Sequence, residues 1–238
     1  MCAAAAALVF GPSSGAVQVD PRLAACLRAA AAEAAPIAIP RERVRAGAVL
    51  AFAVEHSVTL ARGGRRLRTD GFFAGRPGVR PAAGEVLEGI VTAARSSVDE
   101  RRVRHLGYLL AEVACSPDVD AELVGRALRM AESLTWRQLA FLAGVGRRDR
   151  IALPMTALPD EPPGWNGWAA REDVADLQRT GLLDPPVAVP GGATLPRIRA
   201  VDLRLTRRGV LVHRLLVLDA LRDDAVAAAL ADLGLPRS

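Results

Sequence analysis

Residues 96–146 read SSVDERRVRHLGYLLAEVACSPDVDAELVGRALRMAESLTWRQLAFLAGVG, and this stretch decides the fold of the chain. Its apolar residues recur at three- and four-residue steps, which is the period of a helix with one buried face. The stretch predicts three consecutive helices over about 99–115, 120–133 and 135–145. We therefore expect a mainly α-helical protein built as a helical bundle.

Start signals support the first and third of these helices. Two serines, Ser96 and Ser97, precede two acidic residues at the spacing of a capping box, in which side chains bond to free backbone N–H groups. Thr135 and Gln138 repeat the same spacing before the third helix. Helix boundaries and apolar periodicity thus agree, as expected of a folded unit.

Upstream of this stretch the sequence predicts two more helices. Asp20 and Pro21 fit the cap and the first turn of a helix that runs to about residue 35. Another helix covers 41–61 and is ended by Gly63-Gly64. We divide the chain into a flexible leader at 1–20, an Ala-rich and basic helical region at 21–95, and a helical domain at 96–238.

Downstream, a Pro-rich connector at 147–168 leads to a helix over about 169–180, which Gly181 ends. Apolar residues then alternate with other residues on both sides of the turn Pro190-Gly191-Gly192. This pattern predicts a small β-hairpin with strands near 187–189 and 201–205. Thr206 can cap the next helix, and a last short helix ends near Gly234. The helix after Thr206 is expected over about 207–221, with Val210, Leu211, Leu215 and Leu218 on its buried face.

The segments DLQRTGLL at 176–183 and LRLTRRGVLVHRLL at 203–216 together resemble the last part of a winged-helix domain. In that fold, a helix before the GLL turn is followed by a β-hairpin wing and a closing helix. The resemblance implies a winged-helix-like element in the C-terminal part of the chain. The stretch 99–221 is also similar to the Abi-alpha group of bacterial proteins, through Thr206 and Gly209, which implies a role related to defence against phage.

Two features depart from a DNA-binding winged helix. A helix-turn-helix needs a short turn between its helices, but the long connector at 147–168 stands in its place. The expected recognition helix also carries three acidic residues, which phosphates repel: Glu172, Asp173 and Asp176. The fold can therefore be winged-helix-like without binding DNA.

Charge and apolar residues coincide in one segment of the chain. All 31 basic residues are arginine, and nine of them lie within residues 41–80 beside only three acidic residues, a net charge of +6. This segment is either a solvated face or a contact for nucleic acid, an anionic membrane surface or an acidic partner. Its apolar run, Ala46–Val54, is too short to cross a bilayer, and we expect it to be buried in a soluble fold.

The sequence predicts no enzyme, metal site or cofactor. His105 and Glu112 lie two turns apart on one helix, about 10.5 Å, which is too far for both to bind one ion. The chain has no GxSxG motif, and because it has no lysine it has no standard phosphate loop. Three widely spaced cysteines without a CxxC fit a reducing compartment, so we expect a cytoplasmic protein.

Two sets of residues are candidate contacts for a partner. Trp165 and Trp168 either anchor the connector onto the helical core, which is the favoured interpretation, or form an exposed contact for a protein. The candidate nucleic-acid contacts are Arg197, Arg199, Arg204, Arg207 and Arg208. The leading hypothesis is a non-enzymatic interaction or regulatory protein of the bacterial cytoplasm, with a protein partner and with its oligomeric state open. The alternatives are a winged-helix DNA-binding regulator and a peripheral membrane-active protein.

Overall fold

A computed structural model describes residues 19–75, 78–153, 155, 164–185 and 199–233. Within these residues the protein is mainly α-helical, as the sequence predicts, with nine α-helices. The chain divides into two compact units, Met1–Ser133 and Leu134–Ser238. The leader predicted at 1–20 lies outside the described residues except for its last two positions.

The first unit contains five helices. They are α1 (Pro21–Ala34), α2 (Pro40–Arg62), α3 (Ala82–Ser96), α4 (Glu100–Ala114) and α5 (Ala121–Ser133). Helix α4 is the centre of the unit, because it packs against α2, α3 and α5 and is buried along most of its length. Helix α3 was not predicted as a separate element.

Helices α2 and α4 lie very close together at Gly107. A Cβ atom on Gly107 of α4 would stand 2.6 Å from the backbone oxygen of Val49 and 2.7 Å from Cβ of Phe52. Both distances are far shorter than a van der Waals contact, so only glycine allows the two helices to lie this close. Gly107 therefore sets the spacing between α2 and α4 at this point.

The division between the units differs from the predicted boundary at 95/96. Helices α4 and α5 belong with the N-terminal helices, because α4 packs on α2 and α3 and α5 packs on α3. The three consecutive helices of 96–146 therefore do not form one unit. The first two complete the first unit, and the third begins the second.

The second unit contains the remaining described elements. Its helices are α6 (Trp136–Gly146), α7 (Gly164–Arg179), α8 (Arg207–Leu215) and α9 (Asp223–Ala231), with 3-10 turns at Ala200–Asp202 and Leu218–Ala220. Helix α6 packs against α7, α8, α9 and the second 3-10 turn, so it is the centre of this unit. Leu139, Ala140 and Leu142 on α6 are fully buried.

The structure confirms several of the predicted helix caps, and at one helix the capping residue differs from the prediction. The Thr135–Gln138 capping box is present, and Asp20 caps α1. Helix α4, however, is capped by Asp99, whose side chain accepts a bond from the N–H of Arg101 at 2.9 Å. The prediction that Ser96 or Ser97 caps it is wrong, because Ser96 is the last residue of α3.

Two helices of the second unit differ in extent from the prediction. Helix α7 begins at Gly164 rather than near 169, so both tryptophans of the expected connector lie on its first turns. Helix α8 ends at Leu215 rather than near 221, because Val217 takes a left-handed conformation with φ 50°. Val210, expected on the buried face of α8, is exposed.

The predicted β-hairpin stays a prediction. Its turn at 190–192 and its first strand near 187–189 lie outside the described residues. In place of a strand at 201 and 202, the chain forms the 3-10 turn Ala200–Asp202. Between described residues, one antiparallel bridge joins Leu183 to Leu205, next to the expected hairpin.

Helix α2 is long and apolar enough, by length and composition, to cross a membrane. The sequence-based expectation considered only the shorter run Ala46–Val54, whereas the whole 23-residue helix meets both criteria. About 22% of its most apolar window is buried in the structure. Helix α2 packs against α1, α3 and α4, and core helices of soluble proteins meet the same criteria.

Candidate functional site

The most exposed large aromatic side chains of the described chain are two tryptophans at the start of α7. Trp165 is 83% exposed and Trp168 is 53% exposed. Their rings meet edge to face, with centroids 6.1 Å apart and planes at 86°. The favoured interpretation from sequence, that they anchor a connector onto the core, is therefore wrong. We call these two residues the tryptophan pair.

Helix α7 holds the tryptophan pair on a fixed support. Its opposite face is buried through Ala170, Val174 and Leu177. Asp173, also on that face, accepts a bond from Nε of Arg137 on α6 at 2.5 Å. Arg137 lies 3.5 Å from Asp232 as well, so α7 is linked by charge to both α6 and the end of α9. The pair thus projects from a helix whose orientation is set by packing and by a partly buried ion pair.

The rest of the exposed surface of α7 carries little unpaired positive charge. Arg179 lies 2.8 Å from Asp176 and 3.8 Å from Glu172. Of the three carboxylates expected to repel phosphates, Glu172 and Asp176 lie on the helix surface beside an arginine that is already paired, whereas Asp173 is buried and bonded to Arg137. This arrangement does not suit a helix that enters the major groove.

The candidate nucleic-acid contacts are mostly engaged within the chain. Arg199 donates to Asp202 at 2.6 and 3.0 Å, and this bond lowers the pKa of the Asp202 carboxyl. Arg204 donates to the carbonyl oxygens of Val201 and Leu203, and Arg208 donates to that of Thr180 at 2.8 Å. Arg207 is exposed, and Arg197 lies outside the described residues. The structure assigns most of these guanidinium groups to local bonds.

A polar cluster around the buried Glu112, where α2 packs against α4, was not found from the sequence. Nε2 of His56 lies 2.9 Å from Oε1 of Glu112, and Nη2 of Arg65 lies 3.5 Å from its Oε2. The Tyr108 ring stands 4.7 Å from the imidazole of His56. Glu112 is only 6% exposed, so its charge needs partners. The available signal was a glutamate within the apolar pattern of α4, but its partner lies 56 residues away.

This cluster favours a structural role over a catalytic one. Burial raises the pKa of the Tyr108 phenol, and the nearby Glu55 raises it further. Burial likewise raises the pKa of the Cys115 thiol, at the end of α4. Both groups are therefore held protonated at neutral pH and are poor nucleophiles. Among the described residues, no group of three His, Cys, Asp or Glu side chains could hold a metal ion.

A groove of about 400 Å³ lies between α1 and α3 in the first unit. Its floor is apolar, with Ala30, Ala34 and Leu87, and two arginines line it, Arg80 and Arg95. Both arginines are paired with carboxylates, Arg80 with Glu88 and Arg95 with Glu42 at 2.8 Å. The two lining arginines are therefore already paired, and the exposed Glu33 also lines the groove.

The winged-helix and Abi-alpha resemblances rest on the sequence alone. No family model matches the chain, and no curated protein or solved structure matches it significantly.

Proposed function

We propose that this chain is a non-enzymatic interaction protein whose second unit binds a protein partner through the tryptophan pair. The single observation that carries the proposal is the exposure of Trp165 and Trp168 on an anchored helix. Tryptophan is enriched among the residues that dominate binding energy at protein interfaces. Leaving two such rings in water is unfavourable, and a partner surface would remove that cost.

The fixed orientation of α7, which carries the tryptophan pair, also favours tight binding. Both rings project from the first turns of a single helix, and the edge-to-face contact restricts their rotation. The ion pair between Arg137 and Asp173 holds the same helix against α6. A contact surface that is ordered before binding loses less conformational entropy when the partner docks.

We further propose that the second unit is winged-helix-like and that the protein is a regulator of the bacterial cytoplasm. Three features support this arrangement: Gly181, with φ 69°, follows the end of α7, Leu183 bridges to Leu205, and Thr206 caps α8. The local bonds of Arg199 and Arg208 and the acidic surface of α7 favour a protein partner over a DNA duplex. A defence-related role rests on the Abi-alpha resemblance and is proposed on that basis.

A quantitative pull-down from the native host tests the proposal. The bait proteins are the wild type, the double variant Trp165→Ala/Trp168→Ala, and Val98→Ala as the control. Val98 is 90% exposed and lies in the first unit, so its truncation removes an exposed apolar side chain elsewhere. We expect one partner to be recovered with the wild type and the control and to be lost with the double variant. Equal recovery with all three baits would contradict the proposal.

A further inference from the structure

His213 on α8 is buried in the second unit without a hydrogen-bond partner for one ring nitrogen. The residue is 9% exposed, and within the described part of the chain its Nε2 atom has no partner. The imidazole lies against the backbone of Gly146 at the end of α6, where any Cβ atom would overlap the ring. The neutral ring fits this site, whereas a protonated ring would bring a second N–H that has nothing to donate to.

The charges around His213 come from the two elements that pack against α8. Helix α6 contributes Arg147 at its C-terminal cap, and the 3-10 turn Leu218–Ala220 contributes Asp219. Arg147 is itself buried and donates through Nη1 to the carbonyl oxygen of Leu221 and to Asp223, both at 2.9 Å. The other charged residue of α6, Arg137, is paired with Asp173 and Asp232.

These surroundings act on the protonation of His213 in opposite directions. Burial lowers the pKa of His213 most strongly, Asp219 raises it, and Arg147 lowers it. The net effect is a pKa below the usual 6.5. A histidine whose pKa is lower in the folded state binds fewer protons there than in the unfolded chain. Its contribution to stability is therefore complete above pH 6.5 and is lost as the pH falls from 6.5 toward the folded-state pKa.

The chain immediately after α8 is strained. Val217 has φ 50° and ψ 50°, and it is the one non-glycine residue with positive φ in the described chain. A β-branched residue is disfavoured in this left-handed region and persists only when the surrounding structure holds it. Here the neighbours Leu216 and Leu218 are buried and hold the turn in place. Release of this turn would let Val217 return to a favoured conformation.

We propose that the junction of α6, α8 and the 3-10 turn Leu218–Ala220 is an acid-sensitive latch, which opens when His213 is protonated. The imidazolium would place a second positive charge beside the buried guanidinium of Arg147, with Asp219 as the nearby carboxylate. The strain at Val217 favours the same movement, because opening relieves it. At neutral pH the latch keeps α8 packed against α6 and the 3-10 turn, and under mild acid this packing weakens.

Tryptophan fluorescence of the full-length protein tests the latch. All three tryptophans, at positions 136, 165 and 168, lie in the second unit, so the signal reports on that unit. We expect the fluorescence-detected Tm of the wild type to fall by several degrees between about pH 7.5 and pH 5.5, where histidine titrates and ordinary carboxylates stay ionised. In His213→Gln, which cannot be charged, the Tm should change little over this range. His56→Gln, in the first unit, should behave as the wild type does.

The same pH dependence in His213→Gln and in the wild type would overturn the proposal. A second measurement keeps the test decisive if that variant does not fold. In NMR titration of the wild type, the imidazole of His213 should have a midpoint below 6.5, and amide exchange in α8 should accelerate over the same range. A midpoint at or above 6.5 would overturn the proposal as well. Val217→Gly, which removes the strain, should shift the opening to lower pH.

Discussion

The backbone oxygen of Val49 lies 2.6 Å from the position that a Cβ atom on Gly107 would take. Helices α2 and α4 are therefore in backbone contact at this point. We expect Gly107→Ala to destabilise the first unit by about 1–3 kcal/mol, because the added methyl group meets rigid backbone and the helices must separate. Urea unfolding followed by far-UV circular dichroism measures this loss.

Gly125→Ala is the matched control for that substitution. Gly125 lies on α5, and a Cβ atom there would meet only Nη1 of Arg129, at 3.6 Å. Alanine is the better helix former, so this variant should be more stable than the wild type by about 0.5–1 kcal/mol. If the two alanine variants proved equally stable, the close contact between α2 and α4 would be disproved.

Glu112→Ala removes the buried acceptor at the centre of the polar cluster. His56 and Arg65 then lose their shared carboxylate, and we expect a loss of about 1–3 kcal/mol in the free energy of unfolding. The control is Glu122→Ala, which breaks an exposed pair with Arg126 on α5 and should change stability by less than about 0.5 kcal/mol. Chemical denaturation compares the two variants, and equal effects would contradict the structural role of Glu112.

The capping box at the start of α6 gives a third prediction. Thr135 accepts a bond from the N–H of Gln138 at 3.2 Å, and its own N–H donates to the Gln138 side chain at 2.9 Å. We expect Thr135→Ala to cost about 1 kcal/mol and Thr135→Ser to cost much less, since serine keeps the hydroxyl. Thermal unfolding monitored by tryptophan fluorescence distinguishes them. A serine variant as unstable as the alanine variant would show that the hydroxyl bond is not the source of stability.

The local signals in the sequence identify most of the helices, because caps and periodicity act over a few residues. Asp20, Thr135 and Gly181 mark helix ends as the structure has them. The division of the chain at Ser133 is not visible locally, since it depends on which helices α4 packs against. The sequence likewise does not predict the early end of α8, because buried neighbours hold Val217 in a left-handed conformation that β-branched residues disfavour.

The candidate site was only partly predictable for the same reason. Trp165 and Trp168 stand out in the sequence, but their exposure depends on α7 beginning at Gly164 and on which of its faces is buried. The pairing of His56 with Glu112 joins residues on different helices. A periodic pattern identifies each helix by itself and does not specify which side chains meet across them.

The central claim is that a partner protein docks on the tryptophan pair, and site-specific photo-crosslinking in the native host tests it most directly. A photoreactive amino acid is placed at position 165, 168 or 98, in separate variants of the full-length protein. Thermal unfolding of each variant first establishes that the second unit is intact, as we expect for exposed positions. Mass spectrometry then identifies the crosslinked species. We predict the same discrete protein adduct from positions 165 and 168 and none from position 98. The absence of any adduct at 165 and 168, or an identical adduct from position 98, would contradict the account.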